Sequence, residues 1–99
     1  MTKFNEIKTK ELKLPDSSAL VVVRDTLTFG TSLEMLDYEN EKDAQLFMIK
    51  EMVVSWDFIG KDNKPVPLTI ENIKLLSPGD GRFLVTEVTK FFTEDKKKD

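Results

Sequence analysis

Acidic side chains alternate with other residues over Asp37–Asp43, a spacing that resembles a calcium-binding loop. Carboxylate oxygens suit Ca²⁺, but an EF-hand loop also needs glycine at its sixth position and glutamate at its twelfth. Counted from Asp37, those two positions hold Lys42 and Met48. We therefore expect no metal site here. The acids instead predict a solvated connection into the first turn of a helix, where negative charge interacts favourably with the helix dipole.

Few residues could carry catalysis. The chain has no His and no Cys, which removes the usual general base, the thiolate nucleophile and the commonest metal ligands. Asp57 stands between Trp56 and Phe58, but no second titratable residue accompanies it in that apolar setting. Gly79–Gly81 could present backbone N–H groups to an anion, but it lacks the Lys-Ser/Thr pair of a phosphate loop. We expect no enzymatic activity and no cofactor.

Length and charge narrow the class of protein further. A chain of 99 residues is the size of one domain, and its net charge of −3 is a weak electrostatic basis for binding nucleic acid, which usually needs a basic face. The one basic run, Lys96–Lys98, is flanked by acids. The longest apolar stretch inside the chain, Ala19–Val23, is far shorter than the roughly 20 residues that span a bilayer. Because Met1–Lys10 is polar and unlike a signal peptide, we expect a cytoplasmic protein that binds neither nucleic acid nor membrane.

The N-terminal part of the chain predicts a β-hairpin. Leu12 and Leu14 alternate with a lysine, and Ala19–Val23 is rich in β-branched residues. Between them, Pro15–Ser18 is typical of a turn, because proline fixes φ and Asp and Ser bond nearby backbone groups. A lone hairpin is barely stable, so its apolar face must pack on other elements.

Helices are predicted for much of the remaining chain. Thr31–Glu34 has the form of a capping box for a short helix, although a loop after Gly30 explains the segment equally well. Ala44–Trp56 gives the clearest periodicity. One face of that helix would carry Leu46, Ile49, Val53 and Trp56, and Phe47, Met48 and Met52 would widen it. A face this broad predicts burial against the domain and against a partner or a second copy.

Two further helices and a loop complete the predicted fold. Gly60–Pro65 is a loop, Thr69 is an N-cap, and Ser77 caps a last helix whose first position is Pro78. We expect an α+β fold, with an N-terminal β-hairpin or small antiparallel sheet packed against three to four helices. Residues 1–92 form the single globular domain. The entirely polar residues 93–99 predict a disordered tail.

Large apolar side chains near the helix ends are the candidates for partner binding. Adjacent phenylalanines on a helix point about 100° apart, so both rarely enter one core. Aromatic side chains left at the surface carry much of the energy of protein interfaces. The alternative, in which these side chains belong to the core, remains open. The predicted partner-binding residues are Phe47, Met52, Phe58, Phe91 and Phe92.

The middle and end of the chain resemble the tail assembly chaperones of long-tailed bacteriophages. The resemblance covers about residues 12–92. It rests on "MIKEMVVSW" (48–56), "GKDNKPVPL" (60–68), "TIENIKLL" (69–76) and the closing "FLVTEVTKFF" (83–92), with "ALVVVRDTLTFG" (19–30) similar to the opening strand and first motif. The family pattern is a helix ending in Trp, a polar loop with Pro-x-Pro, a Thr-capped helix and a final helix.

The resemblance implies a non-enzymatic assembly factor. Proteins of this family coat the tape-measure protein, keep it soluble and help recruit tail-tube subunits in the host cytoplasm, and they often form oligomers. It therefore implies tape-measure and tail-tube proteins as partners and a homo-oligomer as the assembly state. The alternative interpretation is a structural virion component, such as a head–tail connector protein, which would remain in the mature particle.

Overall fold

The structure, a computed structural model, describes residues 8–97 of the chain, with side chains described through Lys90. Three strands and four helices follow one another along this range. They are β1 (Thr9–Lys13), β2 (Leu20–Arg24), α1 (Phe29–Met35), α2 (Glu41–Met52), β3 (Val53–Trp56), α3 (Ile70–Lys74) and α4 (Pro78–Lys97). The predicted α+β class is confirmed.

The predicted hairpin is present as β1 and β2, which pair antiparallel with Leu12 opposite Val21. The turn closes through the N–H of Leu14, which donates to the carbonyl of Ala19 at 2.9 Å, and Ser18 adopts a left-handed φ of 62°. Alternation places Leu12, Val21 and Val23 on the buried face of the sheet. The hairpin is therefore amphipathic, and the buried face is completed by helices.

The predicted helix over Ala44–Trp56 is wrong at both ends. Helix α2 begins earlier, at Glu41, and ends at Met52; its last four predicted residues form β3 instead. β3 pairs antiparallel with β2, giving a three-stranded sheet in the order β1-β2-β3. Val53 and Val54 are β-branched and suit a strand. Pairing with β3 makes β2 the central strand and satisfies backbone groups of β2 that would otherwise be unpaired at the sheet edge.

The cap of α1 lies upstream of its predicted position, and α2 has a cap for which no residue was predicted. Thr28, not Thr31, caps α1: its Oγ1 accepts the N–H of Thr31 at 3.1 Å. Asn40 caps α2 by accepting the N–H of Lys42 at 2.8 Å. Of the four acids in the predicted solvated connection, Glu41 and Asp43 thus lie in the first turn of α2, where negative charge interacts favourably with the helix dipole.

The caps of α3 and α4 are confirmed, and α4 has an additional attachment. Thr69 caps α3, and the Oγ of Ser77 accepts the N–H of Asp80 at 3.2 Å at the start of α4. Asp80 does not close a capping box. It is 1% exposed, and its Oδ1 accepts the N–H of Asp16 at 2.8 Å, while the Ser77 hydroxyl donates to the Asp16 carboxylate at 2.6 Å. These bonds join the hairpin turn to the start of α4.

One hydrophobic core joins the buried face of the sheet to α2, α3 and α4. Its members are Leu12, Leu14, Ala19, Val21, Val23, Met48, Ile49, Met52, Val53, Ile73, Leu84 and Val88. Helix α4 extends to Lys97, but Phe91, Phe92 and the polar segment 93–99 lie outside the residues whose side chains are described. The disordered tail therefore stays a prediction.

Two glycines in the first turn of α4 should respond to alanine in opposite directions. A Cβ on Gly81 would meet open space, so Gly81→Ala should raise the free energy of unfolding by about 0.5–1 kcal/mol, the usual gain in a helix. A Cβ on Gly79 would overlap the Asp16 carboxylate and displace it from Ser77. Gly79→Ala should therefore lower stability by about 1 kcal/mol, since the lost charged hydrogen bond outweighs the helix gain. Urea denaturation of both variants tests this; equal shifts would contradict it.

Candidate protein-binding surface

The residues considered for catalysis have structural roles. Asp57 is exposed, and its carboxylate accepts the N–H of Leu20 at 2.9 Å while its own N–H donates to the Leu20 carbonyl at 3.1 Å. This exchange ends the pairing of β2 with β3.

Within the described residues, no three carboxylates are grouped closely enough to hold a metal ion. Over residues 8–97, no helix is both long enough and apolar enough to cross a lipid bilayer.

The structure separates the five predicted partner-binding residues. Met52 is 1% exposed in the core, and Phe47 is buried with its ring 5.0 Å from that of Tyr38, so neither presents a surface to a partner. The alternative interpretation, in which these side chains are buried inside the domain, therefore applies to Phe47 and Met52. Phe58 is half-buried and packs edge-on against Trp56, with 5.2 Å between ring centroids. Phe91 and Phe92 lie beyond the described side chains.

Phe58 lies in an open, largely apolar cleft of about 540 Å³ that we call the Trp56 cleft. Six apolar side chains come from β3, the following loop and α3 with the residues after it. They are Trp56, Phe58, Ile59, Val66, Leu75 and Leu76. Ile59 and Leu75 are 61% and 81% exposed, and both line the cleft together with the other apolar side chains. The cleft therefore offers a contiguous apolar contact area to a ligand.

The polar groups of the Trp56 cleft already have partners within the protein. The Asn72 side-chain amide donates to the Pro67 carbonyl at 2.7 Å, and Asp16, Ser77 and Asp80 bond one another at the start of α4. The Trp56 Nε1–H donates to the Val66 carbonyl at 2.7 Å. Because these bonds hold the walls together, the cleft recognises a ligand mainly by apolar contact. Polar small molecules usually require convergent, available donors and acceptors.

No family model, curated protein or solved structure matches this chain. Its function is therefore inferred from its own surfaces and from the sequence segments that build them.

A second apolar surface, the α1 stripe, consists of Phe29, Leu33 and Leu36. The i, i+4, i+7 spacing puts the three side chains on one face of α1, and Phe29 and Leu36 are 77% and 79% exposed. Helix α1 has no buried residue and packs against α2. On its inner side, half-buried Met35 packs against the core. The outer face of α1 is thus apolar and uncovered within the described chain.

A third surface is a groove of about 710 Å³ between α2, α3 and α4, which we call the basic groove. Aliphatic side chains line it, namely Leu46, Ile49, Ile73, Leu76 and Val85. Three cations also line it, namely Lys42, Lys74 and Arg82. None of its lining residues that the structure describes is acidic, although acids outnumber bases 18 to 15 in the chain.

The sequence contained a signal for one of these surfaces. The spacing of Phe29, Leu33 and Leu36 gives one helix face, but the predicted cap at Thr31 left Phe29 outside the predicted helix. The Trp56 cleft and the basic groove have no such signal. Each is assembled from side chains distant in the sequence, and only the packing of β3 and α3 beside α4 brings them together.

Proposed function

We propose that the protein is a non-enzymatic tail assembly chaperone that binds an apolar helical segment of a tape-measure protein in the Trp56 cleft. The observation that carries the proposal is this cleft, with six apolar side chains and two highly exposed ones, Ile59 and Leu75. Exposed contiguous apolar surface on a small protein marks an interaction site or a liability. If a partner covers this surface during assembly, the apolar side chains are shielded from water and serve as the binding site.

The chemistry of the cleft favours a helix as the ligand. An amphipathic helix recognises an apolar groove with side chains at i, i+3 or i+4 and i+7, and needs no hydrogen bond from the groove because its backbone is already satisfied. The cleft matches this requirement, since Asn72 and the Trp56 indole use their donors internally. A long tape-measure helix exposes apolar stripes of this kind before it is packaged in a tail tube.

The segments that carry the family resemblance also build the cleft. Trp56 ends the first of them, Val66 belongs to the Pro-x-Pro loop, and Leu75 and Leu76 end the third. In this chain the helix of the family pattern ends at Met52, and its Trp lies on β3. That position turns the indole toward the loop, where it helps to form the cleft.

The rest of the proposal follows from the same role. A chaperone that coats the tape-measure protein works in the host cytoplasm and brings tail-tube subunits to the complex. It leaves before the particle is complete, whereas a head–tail connector remains. Mass spectrometry of purified virions separates the two, because peptides of the protein at stoichiometric abundance would favour the connector.

A matched pair of leucines tests the cleft. Leu36 and Leu75 both follow the last turn of a short helix with helical φ and ψ, and they are 79% and 81% exposed. Leu75→Asp should weaken binding at least about tenfold, because it puts a charge into an apolar contact, while Leu36→Asp should bind as the wild type does. The ligands are overlapping peptides of about 25 residues from the tape-measure protein encoded in the same genome. Trp56, the only tryptophan, reports binding by its fluorescence.

Two results would contradict the proposal. The first is that no peptide of the tape-measure protein changes Trp56 fluorescence at submillimolar concentration. The second is that Leu36→Asp and Leu75→Asp weaken binding equally, which would place the contact outside the cleft. Circular dichroism of both variants checks that they are folded.

A further inference from the structure

The α1 stripe and the basic groove are both apolar, and the charges around them are opposite in sign. The stripe is an apolar helix face, and the groove is an apolar channel between helices. The segment 25–41 around the stripe has five acids and no base. These acids are Asp25, Glu34, Asp37, Glu39 and Glu41. Three cations and no acid line the groove within the described chain.

We propose that the α1 stripe of one copy of the protein docks in the basic groove of a second copy. Leu33 and Leu36 contact the aliphatic floor, and Glu34 and Asp37 lie near the cations of the rim. Burial of the stripe supplies the affinity. Opposite charge sets the orientation and speeds association. This contact uses neither Ile59 nor Leu75, the two most exposed apolar side chains of the Trp56 cleft, although Leu76 lines both surfaces.

The two surfaces cannot meet within one chain, because they lie on different sides of α2. At 100° per residue, the groove-lining face of α2 (Lys42, Gln45, Leu46 and Ile49) points roughly 150° away from Phe47. The ring of Phe47 contacts that of Tyr38, which lies three residues after the end of α1. The contact is therefore heterologous. In a pair, one copy keeps a free groove and the other keeps a free stripe, so that assembly continues to a ring or an open chain.

The cations of the groove have no competing partner among the described residues. Lys42, Lys74 and Arg82 form no salt bridge there, whereas Lys90 pairs with Glu87. Nucleic acid is the other polyanion that three cations could attract. Binding of single strands uses aromatic side chains on which bases stack, and no aromatic side chain lines the groove in the described chain. Its aliphatic floor fits the leucines of the stripe.

The test uses one variant for each half of the contact. Leu36→Asp disrupts the stripe and leaves the groove intact. Gly81→Phe plugs the groove and leaves the stripe intact; Gly81 lines the groove, and a side chain there would enter open space. In sedimentation at tens of micromolar, the wild type should form species heavier than the 11.4 kDa monomer. Each variant alone should weaken self-association at least about tenfold.

The decisive sample is the mixture of the two variants. Leu36→Asp retains a working groove and Gly81→Phe retains a working stripe, so an equimolar mixture should form a heterodimer that cannot grow further. Leu75→Asp, the control for the other cleft, should assemble as the wild type does. Higher salt should weaken assembly, because the rim charges are exposed and screened.

Charge reversal provides a second route if Gly81→Phe does not fold. Lys42→Glu combined with Arg82→Glu should abolish assembly, and mixing with Glu34→Lys combined with Asp37→Lys should restore it. Lys50→Glu is the matched control, since Lys50 is exposed on α2 outside the groove.

Several outcomes would overturn the inference. They are a wild type that is monomeric at several hundred micromolar, undiminished assembly by folded Gly81→Phe, and a mixture of the two half-site variants that stays monomeric. Binding of a single-stranded oligonucleotide that is lost in Lys42→Glu/Arg82→Glu would assign the groove to nucleic acid instead. None of these outcomes bears on tape-measure binding, which is measured with peptides and with Leu75→Asp.

Discussion

Trp56→Ala should lower the free energy of unfolding by about 3 kcal/mol, near the lower end for removing a large aromatic side chain because Trp56 is only half-buried. The indole packs against the core and edge-on against Phe58, and its Nε1–H donates to the Val66 carbonyl at 2.7 Å. It thus connects β3 to the loop 57–69. Urea denaturation followed by far-UV circular dichroism measures the loss.

Trp56→Phe is the control that separates the apolar contacts from the hydrogen bond. Phenylalanine keeps most of the ring contacts and leaves the Val66 carbonyl without its donor, so we expect a loss of about 1 kcal/mol. A loss below 1 kcal/mol for Trp56→Ala would contradict a structural role for the side chain. Such a result would mean that Trp56 lines the cleft but does not stabilise the fold.

Elements with local signals were predicted from the sequence. The β1–β2 hairpin has Pro15–Ser18 between the alternating Leu12 and Leu14 and the β-branched run Ala19–Val23. Thr69 and Ser77 each accept an N–H from three residues later. Strand β3 was not predicted, because no glycine or proline separates it from α2. The change from helix to strand at Val53 depends on pairing with β2, some 30 residues away in sequence. The periodicity of a local segment contains no information about so distant a contact.

The candidate surfaces were also hard to predict from the sequence, because they depend on contacts between residues that are distant in sequence. Phe58 was predicted as a partner-binding residue and lies in the Trp56 cleft, but Met52 is in the core because α2 is covered by the sheet and by α4. Leu75 is exposed because it follows the last turn of α3, and the position of that helix end was not predicted from the sequence. The charge asymmetry between segment 25–41 and the basic groove becomes visible only when α2, α3 and α4 are placed side by side.

Asp80→Ala should lower the free energy of unfolding by about 2 kcal/mol. The Asp80 carboxylate is 1% exposed, and its Oδ1 accepts the N–H of Asp16 at 2.8 Å across 64 residues of sequence. Alanine would leave that part-buried N–H without its acceptor, at a cost of about 1–2 kcal/mol, and would remove a negative charge from the first turn of α4. Thermal and urea unfolding at neutral pH measure the effect.

Asp80→Asn is the matched control, because its side-chain oxygen can still accept the Asp16 N–H while the charge is lost. We expect it to retain more than half of the stability that Asp80→Ala loses, since the hydrogen bond is the larger contribution and the interaction with the helix dipole the smaller. If Asp80→Asn is as unstable as Asp80→Ala, the charge and not the bond to Asp16 holds the turn on α4. If neither variant loses stability, the junction between the hairpin turn and α4 depends on Ser77 and Asp16 alone, through their bond at 2.6 Å.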